Sequence, residues 1–507
     1  MRVMKLFFYC FFYVLLLGCA ANSVVQKASV LSSSHGYVFV EFPRSPQVLE
    51  IRSMDSGKTY RLQPDDINYT SGLWVPPGSY TLERTYKRGL TGSIISNLKG
   101  YPTFYVEKGR ITNLGSLVDF KMGEGKVVWM QRPSLESDGK FINWIVKNNE
   151  YLANPEAIIW HVEKVPEFTD SKVSGNGLII DALINMESDN AVNKFKTELA
   201  LIENPNELYS RLLKILPPSP HSTYVFAEPS VNDSNGNLYF PAELGQIKKR
   251  STAGVWTTID TGFTYAVKAV ELFKDDIYAG LSSGHLIVSK DGGLTWTNDF
   301  LFKNKSIMDV YVVNGRIFVT TMDFTSNKGG LYAATMGSDL QFELIKTPLN
   351  SSSGMPLSAL RNDNLYISFP DKEFYKLNVV TMEFESIALP QSLRYFSVAE
   401  NGVISLMAQA LFGELYVSDE FGENWKEYNY PKLGTTYFTS YENGIAMTGS
   451  GFKRYDSKSN QWIVEAKVQE NCTYFLEDEN MMPRFCVDIH GLIYRMDGVA
   501  WIKEKFQ

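Results

Sequence analysis

The chain is poor in histidine and cysteine, with five His and four Cys in 507 residues. His35, His161, His221, His285 and His490 lie far apart, and no His, Cys and carboxylate spacing fits a metal. The expectation is no metal and no cofactor. The P-loop and the dinucleotide fingerprint are absent, which removes the enzyme classes those motifs announce. Positive charge is short as well. Lys and Arg number 49 against 56 Asp and Glu, so the net charge is −7 and nothing invites nucleic acid. Gly 37 and Pro 21 are too few for a collagen-like or linker-like chain. No apolar run approaches the ~20 residues that a helix needs to span a bilayer.

What is present is ordinary globular material with an aromatic surplus. Apolar residues make up 44%, charged residues 21% and aromatics 13%. Such aromatic content leans toward strands, and the length allows roughly two to four domains. Arg2 and Lys5 form a short basic head before an unbroken apolar run from Leu6 to Leu17. A run of that length fits a signal-peptide core.

The run ends Leu16-Leu17-Gly18-Cys19. This resembles a bacterial lipobox at all four positions. The resemblance implies cleavage after residue 18 and a diacylglycerol on Cys19, with an ordinary secretory signal as the alternative. Acyl chains anchor by about 0.8 kcal/mol per buried CH₂, so a triacylated Cys19 would hold the protein at a membrane. Ala20 follows Cys19 where an inner-membrane signal would have Asp. By analogy with enterobacterial sorting, this favours the outer membrane, facing the periplasm or the cell surface. Loss of Arg2 and Lys5 with the signal takes the formal charge from −7 to −9.

The C-terminal half repeats. A bulky aromatic recurs at Trp256, Trp296, Phe342, Phe384, Trp425, Trp462 and Trp501, at spacings of 40, 46, 42, 41, 37 and 39. A second marker precedes each: Asn235-Gly236, Asp275-Asp276, Asn314-Gly315, Asn362-Asp363, Asn401-Gly402, Asn443-Gly444 and Glu479-Asn480. Strand-like runs such as Ile277-Tyr278-Ala279 and Ile317-Phe318-Val319 follow these turns. A period near 40 with four strand slots reads as a β-propeller over 221–507, seven-bladed with six or eight as alternatives. An irregular β-sandwich array is the competing reading.

One unit carries a known motif. Ser289-Lys290-Asp291-Gly292-Gly293-Leu294-Thr295-Trp296 matches the Asp-box, S-x-D-x-G-x-T-W, at Ser289, Asp291, Gly293, Thr295 and Trp296. Ser418 to Trp425 resembles it, with Glu420 in the Asp slot and Asn424 in the Thr slot. The chain thus resembles the Asp-box, or BNR-repeat, propellers, which include sialidases. In that family the boxes are structural and lie at the rim. Asp accepts backbone N–H groups in a tight turn, Gly allows positive φ and Trp packs between blades. A sialidase would also carry Arg-Ile-Pro and an arginine triad. Arg-Ile-Pro is absent, and no spacing among the sparse propeller arginines selects a triad.

Cys10 leaves with the signal and Cys19 takes lipid, leaving Cys472 and Cys486. They flank the Glu479-Asn480 turn and would face each other across a hairpin. An even pair in an exported protein suggests a disulfide. Closing that loop would stabilise by roughly 3 kcal/mol in the chain-entropy model.

Residues 19–35 read as a tether and 36–132 as a small β-sandwich. Asp55-Ser56-Gly57 separates two strand-like runs. Trp74-Val75-Pro76-Pro77-Gly78-Ser79-Tyr80-Thr81-Leu82 resembles an edge of transthyretin-like or carboxypeptidase-regulatory-like sandwiches, with Tyr80 and Leu82 toward a core. Residues 133–220 change to helix-like spacing, interrupted near Pro205, and end in Leu216-Pro217-Pro218-Ser219-Pro220. They read as a helical connector.

The function expected from all this is a lipid-anchored, non-catalytic binding or scaffolding protein. It would touch the membrane through its lipid and take an envelope protein or glycan as partner. Two alternatives stand beside it. One is a glycan-active hydrolase or lyase with its site at the propeller's central mouth, since glycoside hydrolysis needs only two placed carboxylates. The other is a component of a surface secretion or adhesion apparatus.

Overall fold

The structure, a computed structural model, describes most of residues 34–132, short parts of 157–174 and 199–218, and most of 231–506. The signal peptide, Cys19, the tether to residue 33 and most of the connector lie outside the described residues. Among the described residues no helix is long and apolar enough to cross a membrane.

Twelve strands build the N-terminal unit: β1 (Gly36–Glu41), β2 (Val48–Ser53), β3 (Thr59–Leu62), β4 (Pro64–Asp65), β5 (Thr70–Val75), β6 (Gly78–Arg88), β7 (Ser93–Asn97), β8 (Phe104–Val106), β9 (Ile111–Lys121), β10 (Lys126–Arg132), β11 (Ala157–Ile159) and β12 (Thr169–Ser174). Their hydrogen-bonded order is β3-β2-β6-β7-β12-β10-β9-β1-β5-β4, with β8 on β6 and β11 on β9. Residues from both ends of that path share one core, including Val38, Leu49, Ile51, Leu62, Leu117 and Trp129. The β2–β3 hairpin forms around Asp55-Ser56-Gly57, where Gly57 has φ 69°.

Tyr80 and Leu82 are buried in that core, as the Pro-Pro-Gly turn leads one to expect. The Tyr80 hydroxyl donates to the Pro76 carbonyl at 2.7 Å, and its ring stacks on Phe104. The sheet does not stop at residue 132. β11 runs parallel to the first part of β9, and β12 joins β10 to β7. β10 pairs only with residues 116–121 of β9, which leaves the earlier part of that edge open for β11.

One helix of the connector is described, α1 (Pro205–Ile215). Pro205 starts it rather than breaking it, because a missing N–H costs nothing at the first helical position. Asn204 caps it: Oδ1 accepts the N–H of Asn206 at 2.9 Å and of Glu207 at 3.2 Å. The apolar stripe Leu208, Tyr209, Leu212 and Leu213 is buried against Val118, Phe120, Val128 and Met130 of β9 and β10, and against Leu244 of the C-terminal unit. Arg132 at the end of β10 donates to the carbonyls of Gly262 at 2.7 Å and Phe263 at 3.2 Å. The helix and Arg132 therefore pin one unit to the other.

Residues 231–506 form a β-propeller. Among the described residues they make one five-stranded sheet and six four-stranded sheets, almost all of them antiparallel neighbours in sequence. Among the described residues the Asn, Asp and Gly markers fall in the hairpin between the first and second strand of their sheets. Asn314 and Gly315, and Asn362 and Asp363, carry the positive φ values that tight hairpins require. The recurring aromatics sit on, or one residue before, the fourth strand. Five of them pack back onto the preceding sheet, which is why the two markers keep step. Trp296, Phe342, Trp425 and Trp462 lie against cores shared with the previous sheet, and Trp256 lies against the last sheet. Ring N–H groups reinforce the pattern. Trp425 donates to the Ala388 carbonyl at 2.8 Å and Trp462 to the Asn429 carbonyl at 2.9 Å. Two aromatics depart from it: Phe384 is exposed beside Tyr375 of its own sheet, and Trp501 meets Phe475 of its own sheet.

The first and last sheets meet through Leu238, Phe240 and Trp256 on one side and Leu476, Phe485, Val487 and Ile493 on the other. The chain end adds a further strand, Lys505–Phe506, parallel to Val255–Trp256 at the outer edge of the first sheet. Glu504 locks this seam. It is buried and accepts Arg250 Nε at 2.8 Å and NH2 at 3.0 Å, Trp256 Nε1 at 3.0 Å and Arg495 Nε at 3.2 Å.

Candidate functional site

The structure brings Ser289, Asp291, Gly293, Thr295 and Trp296 together in one hairpin. Ser289 ends the third strand of the second sheet, and Trp296 precedes the fourth. Asp291 Oδ1 accepts the Thr295 N–H at 2.8 Å, and its Oδ2 accepts the Thr295 hydroxyl at 2.6 Å. The Ser289 hydroxyl donates to Asp291 and accepts the Gly293 N–H, both at 2.8 Å. These donors, the Thr295 hydroxyl and N–H first, hold the Asp291 carboxyl down at about 2. Gly293 has φ 95°, and a Cβ there would lie 2.5 Å from Ile259 of the preceding sheet. Every polar atom of this loop that the motif names turns inward to the loop itself.

The Ser418–Trp425 hairpin of the fifth sheet repeats the design with altered residues. Ser418 Oγ accepts the Gly422 N–H at 2.9 Å, and the Asn424 amide donates to Glu420. Gly422, with φ 96°, comes against Ile387 as Gly293 comes against Ile259. The longer Glu420 and the amide of Asn424 take the places of Asp and Thr without losing the link across the loop. The two boxes thus close hairpins and seat blades; neither presents a reactive group.

The first strands of several successive sheets contact one another on one side of the sheets. Three of them carry charged residues inside otherwise apolar runs: Val267–Phe273, Ser306–Val313 and Leu357–Arg361. Asp309 Oδ2 accepts the Ser358 hydroxyl of the next sheet at 2.5 Å and the Thr320 hydroxyl at 3.3 Å. Tyr311 donates to Ser358 at 3.2 Å. Arg361 Nε donates across to the Val398 carbonyl at 3.0 Å. Glu271 is half-buried, and desolvation among the packed first strands pushes its carboxyl up to about 8 although the Val312 N–H works against this. Desolvation also raises the Tyr311 hydroxyl, with Asp309 adding to it.

This polar arc over the second to fifth sheets escaped the motif search. Its signal was there, as single charges interrupting strand runs three to five residues before a hairpin turn, but such charges also mark solvated positions. Lys248 was missed in the same way. It is fully buried, donating to the Leu213 carbonyl at 2.8 Å and to Thr258 at 2.9 Å.

Cys472 begins the first strand of the last sheet and pairs with Asp488, two residues from Cys486 on the second strand. Cys486 is buried. The side chain of Cys472 lies outside the described residues, as does Cys19. Among the described residues no group of three or more His, Cys, Asp or Glu could hold a metal ion.

No protein-family model matches the sequence, and no curated protein matches it either. Among solved structures, similarity extends to an ancestral GH74 enzyme at 14% identity and TM-score 0.42, covering 56% of this chain and 47% of that one. YCF48 bound to D1 peptide is similar at 13% identity and TM-score 0.43, covering 56% and 99%. BamB from Moraxella catarrhalis is similar at 9% identity and TM-score 0.36, covering 53% and 83%. The chain spans about half the length of the GH74 enzyme.

Proposed function

We propose that this protein is a lipid-anchored envelope protein whose β-propeller binds a protein or glycan partner without catalysing a reaction on it. The observation that carries this reading is the polar arc. Asp309, Tyr311, Ser358 and Arg361 are committed to bonds from one sheet to the next. A catalytic acid or base must instead reach its substrate's proton. What remains for a ligand is a broad rigid face.

Further parts of the reading come from the sequence. Cys19 follows a lipobox and takes the lipid, and Ala20 directs the protein to the outer membrane. The seven sheets are the seven blades of one closed ring, and the two hairpins at Ser289 and Ser418 belong to the Asp-box class. Cys472 and Cys486 form a disulfide across the first hairpin of the last blade. The diagonal register of the pair supports it, as does the burial of Cys486.

One observation favours a second reading. A Glu271 carboxyl raised to about 8 is protonated at neutral pH, as a general acid must be. On that reading Glu271 would be the general acid in hydrolysis of an envelope glycan. Cross-linking capture of the mature lipoprotein from envelopes, followed by mass spectrometry, separates the two. The binding reading expects a stoichiometric partner that Glu271→Gln and Asp309→Asn both retain. Turnover of a defined envelope glycan, abolished by Glu271→Gln, would replace it with the hydrolase.

A further inference from the structure

The sandwich carries a charge ladder that the propeller reading does not use. Glu50 on β2 lies opposite Arg61 on β3 and Arg84 on β6. Its carboxylate, only 1% exposed, accepts Arg61 Nε at 2.6 Å and Arg84 Nε at 2.5 Å. Both guanidiniums also lie over the Tyr86 ring, 5.9 Å and 5.3 Å from its centre. Yet the two arginine side chains stay 65% and 40% exposed. One buried carboxylate therefore orients two outward guanidiniums and neutralises one of them.

The surroundings add positive charge. Arg52 and Lys58 are exposed on either side of the β2–β3 hairpin, whose tip presents Met54 at 58% exposure. Against these stand Glu50, Glu83, which accepts from Thr59, and Asp55, which accepts the Ser79 N–H. Cations thus outnumber carboxylates here, on a chain whose formal charge is −7.

We propose that this sheet face docks on the anionic phospholipid surface of the membrane, with Met54 as an apolar foot. Oriented guanidiniums suit phosphate oxygens, and basic side chains beside an apolar tip suit a headgroup layer. The proposal rests on the anchoring reading for its geometry. The residues between Cys19 and Gly36 can reach no farther than about 60 Å, so a lipid at Cys19 keeps the sandwich next to the bilayer it inserts into.

The test uses the unlipidated chain from Ala20 onward and sedimentation with vesicles. One set is phosphatidylcholine alone, and the other contains about one-third phosphatidylglycerol. Binding is expected only to the second set, weakening as salt screens the charges. Arg52→Glu with Lys58→Glu leaves the Glu50 pairs intact and should weaken binding by about 25-fold or more, at roughly fivefold per basic side chain. Arg61→Lys with Arg84→Lys keeps the charge but loses the oriented guanidiniums, and should bind more weakly than the parent chain while keeping its dependence on phosphatidylglycerol. Absence of phosphatidylglycerol-dependent binding, or equal binding by the Arg52→Glu, Lys58→Glu variant, overturns the proposal. Mass measurement of the envelope-derived chain tests Cys19 separately: a bare Cys19 sinks the anchor, whatever the vesicles show.

Discussion

The propeller and the sandwich solve strand pairing in opposite ways. In the propeller, nearly every strand pairs with the next one in sequence, as Asn364–Phe369 does with Glu373–Asn378. In the sandwich, Tyr37 on β1 pairs with Ile111 on β9, and Lys172 on β12 with Ile95 on β7. Local pairing lets each hairpin be specified by its own turn residues, so the unit can repeat. Non-local pairing makes each strand depend on distant partners, so no period can arise. The propeller has one join of the sandwich kind, the seam where its last sheet meets its first. There Arg250 reaches Glu504 across the whole length of the ring.

That difference can be tested by breaking each kind of contact. The largest effect is expected at the non-local seam. Trp256→Ala removes a buried indole packed on Phe240 and Phe485 and leaves Glu504 without one donor. It should cost about 3–5 kcal/mol in urea unfolding. Phe384→Ala, at an exposed position in the same repeat slot, should stay within about 0.5 kcal/mol. Equal costs would mean that the seam contributes no more than an exposed position in the same repeat slot.

Gly293→Ala and Gly422→Ala probe the local hairpins where they touch the neighbouring blade. Each places a Cβ about 2.5 Å from an isoleucine of the preceding sheet, at a φ that L residues avoid. Overpacking and backbone strain together should cost roughly 1–3 kcal/mol, read as a shift in the urea midpoint. No shift would show that the box loops do not seat the blades.

The joint between the two units should respond to pH. Burial lowers the Lys248 ammonium to about 7 from its ordinary 10.5, with Asp260 working against the shift. Between those values the unfolded chain holds a proton that the folded chain has released. Stability should therefore rise with pH from about 7 to 10.5 and be lowest below that window. Melting curves across this range should show the rise, and Lys248→Met should flatten it. A slope that survives the substitution assigns it to another group.

The smallest effect is expected from the exposed Asp291 carboxylate. Its pKa is about 2 in the fold against 3.8 unfolded, so its contribution is present above 3.8 and lost as pH falls toward 2. Asp291→Asn should remove that acid dependence and leave melting at neutral pH only slightly lower. Unchanged acid titration of stability in the variant would place the loss elsewhere.

Legibility followed the same division. The Asn314-Gly315 turn and Trp296 could be read directly, because turn chemistry and one aromatic per unit act within a few residues. The Pro76-Pro77-Gly78 turn placed Tyr80 and Leu82 in a core for the same reason. The sequence offered no warning that β11 and β12 complete the sandwich, since their partners lie tens of residues away. It also could not tell that Trp256 would be buried while Phe384 was exposed. Both occupy the same slot, and only the neighbouring sheet decides what covers them.

The candidate site divides likewise. Asp291, Ser289 and Thr295 carry their spacing in the chain, and their hydrogen bonds are local. Asp309 meets Ser358, and Arg361 meets the Val398 carbonyl, only because three sheets stand side by side. Arg61, Glu50 and Arg84 meet only because β2 runs between β3 and β6. Sequence by itself determined the repeat, the hairpins and the motif loops, since these rest on contacts between near neighbours. The tertiary structure decided which charges face each other and which rings are covered, because desolvation and Coulomb attraction depend on distance in space rather than along the chain.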